Sequence, residues 1–376
     1  MILPMKLINH SPNRITVKVG TSSLVSESGA LDVGRIRNLA GQLSAIYSQG
    51  KELILVSSGA IKAGMDRLGL TDRPRSIAML QAASAVGQGE LMRVYTEVFS
   101  SLNMTAAQIL LTRDDFRNRG RYLNGRKTMM ALLKLGCTPI VNENDTVAVD
   151  EIKFGENDTL AALVAACVDS DLLINLSDVD GLYDGDPRKD SGSKLIEEVK
   201  EITPQIEALA GNSGDFGSGG MRSKIEAAKI AVNSGVRMVI ADASRENVIV
   251  DIVNGKRIGT RFLSSPIELN HRKRWIAFGD RPRGSLIINS GAIGMLTDKG
   301  KSLLSAGIIA CEGDFREGDM VSIINEFGDQ IAKGLTNYSC SEINQIMGKR
   351  SSEIERILGY KEFDEVIHRD NMVLGV

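Results

Sequence analysis

Residues 138–145 read Thr-Pro-Ile-Val-Asn-Glu-Asn-Asp, a short apolar run that ends in four consecutive polar side chains. The same chemistry returns at residues 156–158 as Glu-Asn-Asp. Parallel α/β sheets bind ligands outside the carboxyl ends of their strands, so this pattern predicts a buried strand that brings amides and carboxylates to a binding site. A small substrate with an ammonium group would suit these side chains. Since Asn and Asp also form turns, a solvated turn is the alternative interpretation of each cluster.

Two stretches near the amino terminus have the same pattern of a strand that runs into small polar residues. Residues 15–19 alternate as a half-buried strand does, so Lys18 is predicted to point away from the apolar face. A Gly-Thr-Ser-Ser turn follows this strand. After an amphipathic helix predicted to end at Gly50, a second strand at residues 53–56 runs into Ser-Ser-Gly-Ala.

A third glycine-rich turn, Ser-Gly-Gly-Met-Arg-Ser-Lys at residues 218–224, precedes another predicted helix. Small residues at such turns let backbone N–H groups approach an anion, and the helix N-terminus adds roughly half a positive charge. The three turns together favour phosphate binding. None of them is a Walker A loop or a Gly-x-Gly-x-x-Gly fingerprint. Ordinary loop composition is the alternative for each turn taken alone.

The order of these motifs resembles the glutamate 5-kinases of the amino acid kinase family, in register from about residue 12 to about residue 265. The lysine of the first strand and the Gly-Gly-Met turn are shared across that family, whereas the two Asn-Asp motifs narrow the resemblance to the glutamate enzymes. Some relatives carry Asp in place of Glu156 and Thr in place of Ser177, and both replacements keep the chemistry. The motifs are Val-Lys-Val-Gly-Thr-Ser at 17–22, Val-Ser-Ser-Gly-Ala at 56–60, Val-Asn-Glu-Asn-Asp at 141–145, Phe-Gly-Glu-Asn-Asp at 154–158, Ser-Asp-Val-Asp-Gly-Leu-Tyr at 177–183 and Gly-Gly-Met-Arg-Ser-Lys at 219–224.

The resemblance implies a role for each matching residue. Lys18 would contact the transferring phosphoryl group and Lys224 the leaving side of the nucleotide, while Asp158 would orient both lysines. The substrate-binding positions would be Ser58, Asp145 and Asn157, with the carboxylate of Asp145 as the partner of an α-ammonium group. The nucleotide-binding positions would be Lys18, Ser177, Asp178, Ser218, Gly219, Gly220, Met221, Arg222, Ser223 and Lys224.

The implied reaction is phosphorylation of the γ-carboxylate of L-glutamate by ATP, the first step of proline biosynthesis. A glutamate carboxylate has a reference pKa of about 4.3, so the nucleophile is ionised at neutral pH and needs no general base. The three histidines, His10, His271 and His368, lie outside the motifs and receive no catalytic role. No metal-ligand cage is visible, and a magnesium ion (Mg²⁺) would be held mainly by nucleotide oxygens and water.

From Gly284 onward the chain resembles a PUA module, the domain named after pseudouridine synthases and archaeosine transglycosylases. The resemblance rests on residues 294–296, 313–319 and 332–335. The expected architecture is an α/β three-layer αβα sandwich with a mainly parallel central sheet, the amino acid kinase fold, followed by a small β-rich PUA barrel. The expected domains are a kinase domain at 1–265, a connector at 266–283 and a PUA domain with its tail at 284–376.

The PUA region has the wrong charge for nucleic acid. PUA modules are known as RNA binders, yet residues 284–376 contain nine Lys and Arg against fourteen Asp and Glu, a net charge of −5. Nucleic-acid affinity depends largely on neutralisation of phosphates by basic side chains, so RNA binding by this module is doubtful. The basic run at residues 271–275 is more simply explained by docking between domains.

The composition, at 43% hydrophobic and 24% charged residues, is ordinary for a soluble globular protein. The four cysteines lack metal-ligand spacing and are interpreted as reduced thiols. No stretch has the apolar length of a membrane span and no secretion signal is visible, so a cytoplasmic location is expected. Family resemblance implies a homo-oligomer, either dimer or tetramer, feedback inhibition by proline, and hand-over of the acyl phosphate to glutamyl phosphate reductase.

Two other classes of function stay open on the sequence alone. One is a sibling kinase that acts on acetylglutamate, carbamate or aspartate. The other is an RNA-binding protein with a vestigial kinase fold, which the intact set of Lys18, Asp158 and Lys224 argues against.

Overall fold

The computed structural model describes residues 11–26, 30–148, 157–187, 192–210, 219–264, 276 and 282–375. These residues form two compact units. The larger unit contains the described residues up to Thr112 and those between Leu123 and Ser264, and the smaller contains Arg113–Tyr122 and the described residues from Ile276 onward. His10, His271 and the basic run at 271–275 lie outside the described residues. Among the helices that the structure describes, none is both long and apolar enough to cross a membrane.

The larger unit is built on an eight-stranded sheet. Its strands are β1 (Arg14–Val19), β2 (Glu52–Ser57), β3 (Thr105–Leu111), β4 (Cys137–Glu143), β5 (Leu172–Ser177), β6 (Glu198–Val199), β7 (Arg237–Asp242) and β8 (Thr260–Phe262). They lie in the order β3-β4-β2-β1-β5-β7-β8-β6, and every neighbouring pair is parallel except β7 with β8. The central strands β1, β2, β4 and β5 therefore end at one edge of the sheet.

Helices cover both faces of this sheet. In chain order, the helices as far as residue 253 are α1 (Val33–Tyr47), α2 (Ala60–Arg67), α3 (Ile77–Ser101), α4 (Arg113–Arg117), α5 (Arg119–Lys134), α6 (Asp158–Cys167), α7 (Pro204–Leu209), α8 (Gly219–Asn233) and α9 (Val248–Val253). Of these, α4 and the start of α5 as far as Tyr122 belong to the smaller unit. On one face, α1, α3 and α9 share a core with Ile15, Val17 and Val19 of β1. On the other face, α6 packs against α8, β1 and β5. The expected three-layer α/β fold with a mainly parallel sheet is confirmed.

Helix α1 shows how local sequence sets these elements. Asp32 caps its N-terminus by accepting a hydrogen bond from the backbone N–H of Arg35 at 3.0 Å. The chain leaves the helix through Gly50, whose positive φ of 76° a glycine adopts without strain. The predicted helix is thus confirmed, and its apolar face is buried.

Helices α2 and α3 cross at an unusually short distance because glycines face each other. A Cβ atom on Gly64 would lie 1.7 Å from the carbonyl oxygen of Ala83, and one on Gly87 would lie 1.8 Å from that of Ala60. No side chain fits in such a gap. Glycine at both positions therefore lets α3 lie against α2, which directly follows strand β2.

The smaller unit has its own sheet and its own core. Its strands are β9 (Gly284–Ile288), β10 (Ile308–Gly313), β11 (Met320–Ile324), β12 (Gln330–Leu335) and β13 (Met372–Leu374), and its helices after residue 282 are α10 (Ser290–Thr297), α11 (Cys340–Ile346) and α12 (Ile354–Leu358). The strand order is β10-β9-β11-β12-β13, with β9 and β11 as the parallel pair. This β-rich unit is the one expected after residue 284. The four cysteines of the chain are free thiols.

Candidate active site

Two lysines converge on one buried carboxylate at the centre of the larger unit. Lys18 Nζ lies 2.5 Å from Asp158 Oδ1, and Lys224 Nζ lies 3.4 Å from Asp158 Oδ2. All three residues are buried, and Asp158 is only 1% exposed. With both lysines protonated, the cluster carries a net charge of +1. An anion placed next to it would find a fixed positive charge.

Three different elements supply these side chains. Lys18 belongs to β1, where alternation puts it on the face opposite Val17 and Val19, as the sequence predicts. Asp158 is the first residue of α6, a helix in which all ten residues are buried. Lys224 lies one turn inside α8, where its Nζ also donates to the carbonyl oxygen of Gly220 at 3.0 Å.

Two neutral donors complete the surroundings of Asp158. Ser223 Oγ donates to Asp158 Oδ2 at 2.7 Å, and Asn175 Nδ2 donates to Oδ1 at 3.0 Å. Burial alone would raise the pKa of Asp158, but the charges of Lys18 and Lys224 and the hydrogen bonds outweigh it. The pKa therefore lies well below its ordinary value. Asp158 stays ionised at any physiological pH.

Asp145, in the turn after β4, has a contrasting environment. Its Oδ2 accepts a hydrogen bond from Ser84 Oγ at 2.5 Å. Burial raises the pKa of Asp145, and the Ser84 hydrogen bond and the charge of Arg73 lower it by less. The net direction is upward. The carboxylate is held in place by a neutral hydroxyl, and an approaching cation would stabilise its charged form.

Amide side chains link the ends of β2 and β4. Asn157 Nδ2 donates to the carbonyl oxygen of Ser57 at 2.6 Å and to Asn142 Oδ1 at 2.8 Å. Asn142 Nδ2 in turn donates to Gln88 Oε1 at 2.7 Å. Ser58, which is 7% exposed, sits next to this network and precedes Gly59, whose φ of 98° opens α2. The hydrogen bonds bring polar groups from the ends of β2 and β4 and the start of α6 together at the sheet edge.

Comparison with known proteins agrees with this geometry. The model of the amino acid kinase family matches residues 13–242. The chain belongs to the amino acid kinase family. A PUA domain model matches residues 284–358.

Individual relatives of this kinase chain match over nearly its whole length. The glutamate 5-kinase of Caldanaerobacter subterraneus is 49% identical over 362 residues, which cover 96% of this chain and 97% of that protein. The glutamate 5-kinase of Burkholderia thailandensis is 47% identical over 371 residues, which cover 98% and 100% of the two chains. Among solved structures, the UMP kinase from Bacillus anthracis is 15% identical with a TM-score of 0.46, over 68% of this chain and 98% of that one.

Of the remaining residues predicted from the sequence, those that the structure describes lie at the same sheet edge or on α8. Ser177 ends β5, and its Oγ donates to Asp178 Oδ1 at 3.0 Å. Arg222 points to solvent and pairs with Glu226 at 3.6 Å. Ser218 and Glu156 lie outside the described residues. The first turn of α8 holds Gly219, Gly220, Met221, Arg222 and Ser223.

The sequence analysis missed three residues of this candidate site. Asn175 is fully buried at the centre of β5, in register with Lys18, and contacts Asp158. Ser84 and Gln88 lie on α3 and contact Asp145 and Asn142. An amide in the middle of an otherwise apolar strand was a usable signal for Asn175. Polar residues four apart on an otherwise apolar helix face were the signal for the other two.

Proposed function

We propose that this chain transfers the γ-phosphoryl group of ATP to the γ-carboxylate of L-glutamate and forms L-glutamyl 5-phosphate, the first step of proline biosynthesis. The observation that carries the proposal is the convergence of Lys18 and Lys224 on Asp158. Nearly full-length identity of about one half to proteins named glutamate 5-kinase supports the same substrate pair.

Phosphoryl transfer to a carboxylate depends on positive charge and positioning more than on proton transfer. A carboxylate oxygen attacks the γ-phosphorus while the bond to the bridging oxygen of ADP breaks, so no proton moves. Two like charges about 4 Å apart repel by roughly 4 kcal/mol at an effective dielectric near 20. The two lysines and the backbone N–H groups at the start of α8 offset this repulsion, as phosphoryl transfer requires.

Each residue then has a defined task. Lys18 contacts the transferring phosphoryl group and Lys224 the leaving side of the nucleotide, and Asp158 holds both ammonium groups in place. Ser177, Asp178 and the segment 218–224 bind the nucleotide. Magnesium (Mg²⁺) would be held mainly by nucleotide oxygens and water and would supply further positive charge, and the +1 cluster of this chain suits the net negative charge of the magnesium–ATP complex. The amino acid is bound by Ser58, Asp145 and Asn157.

A panel of acceptors tests the proposal. ADP release is measured with L-glutamate, N-acetylglutamate, carbamate and L-aspartate, and the Lys18→Ala variant serves as a blank for contaminating kinases. We expect turnover with L-glutamate to exceed that with every other acceptor. A higher kcat/KM for one of the others would identify a sibling kinase and overturn the assignment of substrate.

Finer features belong to the same proposal. The kinase domain spans residues 1–265, a connector 266–283 and the PUA domain with its tail 284–376. The enzyme acts in the cytoplasm as a dimer or tetramer and passes its acyl phosphate to glutamyl phosphate reductase. Proline inhibits at or beside the glutamate site, because its ammonium group suits the carboxylate of Asp145 as the ammonium of glutamate does.

The PUA domain serves regulation or assembly instead of RNA binding. Its net charge of −5 removes the main driving force for RNA affinity. Titration of the whole protein with a labelled single-stranded RNA at physiological salt should show no binding at micromolar protein. Micromolar affinity would refute the charge argument.

A further inference from the structure

Helix α3 carries a polar face directed at the carboxyl ends of β2 and β4. This α3 polar face consists of Ser84, Gln88 and Tyr95, which are 3%, 8% and 0% exposed. The other buried residues of this 25-residue helix are apolar side chains and Gly87. Burying three polar side chains on one helix costs free energy unless each finds a hydrogen-bond partner. Their partners are therefore informative.

Each member of the α3 polar face contacts a different part of the amino-acid side of the site. Ser84 Oγ donates to Asp145 Oδ2 at 2.5 Å, and Gln88 Oε1 accepts from Asn142 Nδ2 at 2.7 Å. The hydroxyls of Tyr95 and Ser57 lie 2.9 Å apart. The glycine crossing of α2 and α3 at Gly64 and Gly87 holds this helix face at the site.

Backbone groups at two points determine which way the amides face. The N–H of Glu143 can only donate, and it lies 2.9 Å from Asn142 Oδ1. The carbonyl of Ser57 can only accept, and it lies 2.6 Å from Asn157 Nδ2. Asn142 must therefore present its Nδ2 to Gln88, and Asn157 must use its amide hydrogens inside the protein.

Hydrogen-bond acceptors are what this arrangement leaves for a ligand. Both N–H groups of Asn157 are already engaged, by Ser57 and Asn142, so its carbonyl Oδ1 is the group it can offer. Within the described residues, Asp145 accepts the Ser84 hydrogen bond at Oδ2 and feels the charge of Arg73, and its Oδ1 is the oxygen it can offer. Two acceptors, one of them charged, match the three N–H donors of a primary ammonium group.

We propose that Ser84 and Gln88 are positioning residues for the amino-acid substrate. Ser84 aligns the carboxylate of Asp145, and Gln88, through Asn142, fixes the amide of Asn157 with its oxygen outward. Together they make the site select a free α-ammonium group. This inference rests on the proposed function and adds to it the residues that determine the choice between an amino acid and its N-acylated form.

The preference for glutamate over N-acetylglutamate follows from the number of N–H donors on the α-nitrogen of the ligand. Acylation of the α-nitrogen removes the positive charge and leaves one N–H, so one of the two acceptors loses its partner. A site built around paired acceptors rejects such an analogue strongly, because its buried polar groups are then left unpaired. If the alignment of the acceptors is lost, the preference for glutamate over N-acetylglutamate falls.

The test uses Ser84→Ala, Gln88→Met and the matched control Ser101→Ala, in which the serine lost lies on the same helix and donates only to the carbonyl oxygen of Val98. For the full-length enzyme, kcat and KM are measured for L-glutamate and ATP, together with the ratio of kcat/KM for L-glutamate and N-acetylglutamate. Thermal unfolding reports whether each variant folds. Gln88→Met keeps a long side chain in the core and gives an independent answer should Ser84→Ala fold poorly.

We expect KM for L-glutamate to rise about tenfold or more in each variant, the size expected for loss of a hydrogen bond to a charged or buried group. KM for ATP should change less than about twofold, and the substrate ratio should fall with the glutamate affinity. Equal losses for both ligands, or an unchanged KM for glutamate in folded variants, would overturn the positioning role while leaving the proposed function intact. Absence of glutamate turnover in the unsubstituted enzyme would overturn both.

Discussion

Two aspartates of the candidate site, Asp158 and Asp145, have opposite electrostatic environments. Asp158 is almost fully buried, yet its pKa lies well below the ordinary value, because Lys18 and Lys224 more than offset the cost of burial. Asp145 is less buried, yet its pKa is raised, because burial outweighs Ser84 and Arg73. Depth of burial therefore does not decide the direction of the shift. The charges of the neighbours decide it.

The difference separates the two halves of the site. The half around Asp158 has its counter-charges built into the protein and an excess of one positive charge when both lysines are protonated, which favours an anionic group beside it. The half around Asp145 has a carboxylate whose charged form gains a full counter-charge when an ammonium ligand arrives. Predictions that separate these two situations test the comparison directly.

The largest contrast concerns stability without ligands. Asp158→Asn leaves two buried ammonium groups without their counter-charge, which costs about 3–5 kcal/mol. Asp145→Asn removes a charge that burial disfavours, so stability should stay within about 1 kcal/mol of the original and on the stabilising side. Urea unfolding of the ligand-free protein at neutral pH gives both values. Similar losses in the two variants would show that the environments do not differ in this way.

The second prediction concerns turnover. Lys18→Ala or Lys224→Ala should lower kcat at least about a hundredfold, because donors aimed at developing charge contribute roughly 3–4 kcal/mol each. The control is Lys229→Ala in α8, whose ammonium pairs with Glu207 on the surface at 2.5 Å. Steady-state ADP release measures the effect, and circular dichroism checks the fold. Near-normal turnover in either variant would remove that lysine from the mechanism.

The third prediction concerns affinity. Asp145→Ala should raise KM for L-glutamate by about tenfold or more and change KM for ATP much less, because it leaves the substrate ammonium without its counter-charge. Asp66→Ala, which removes an exposed carboxylate from α2, is the control. If glutamate and ATP lose affinity equally, Asp145 does not bind the amino acid.

The smallest expected effect is on pH dependence. The pKa of Asp145 is raised, so as pH falls this carboxylate takes up a proton before an ordinary aspartate does and loses its attraction for an ammonium group. KM for L-glutamate should therefore rise severalfold on acidification through that pKa, while KM for ATP should hold because Asp158 stays ionised. Ser84 and Arg73 face Asp145, and loss of the Ser84 hydrogen bond should move this rise to higher pH. A KM for glutamate independent of pH in the acid range would contradict the assignment.

The pKa shifts of Asp158 and Asp145 change the stability of the fold with pH in opposite directions. The depressed pKa of Asp158 contributes stability that is present above the unfolded-state pKa of about 3.9 and is lost as pH falls through the folded-state pKa. The raised pKa of Asp145 favours folding below the unfolded-state value, and that contribution is lost as pH rises through its folded-state pKa.

Much of the sheet and part of the site could be predicted because local patterns determine them. Alternation in β1 places Lys18 opposite the apolar face, and strand ends bring Ser58, Asp145 and Ser177 to one edge. The α3 polar face could not be predicted in the same way. Helical periodicity predicts that Ser84 and Gln88 share a helix face, but their hydrogen-bond partners are 61 and 54 residues away in the chain. Only the close α2–α3 crossing at Gly64 and Gly87 decides which strand ends that face meets.

All ten residues of helix α6 are buried, and this determines which parts of the site can open locally. In hydrogen-exchange terms, amides of a fully buried helix are expected to open only when the whole unit unfolds, whereas a turn with exposed side chains opens locally. Asp158 begins the buried helix, and Asp145 lies beside Val147, which is 66% exposed. Asp158 thus belongs to the cooperative core of the unit, whereas the turn that carries Asp145 can open locally while the core stays closed.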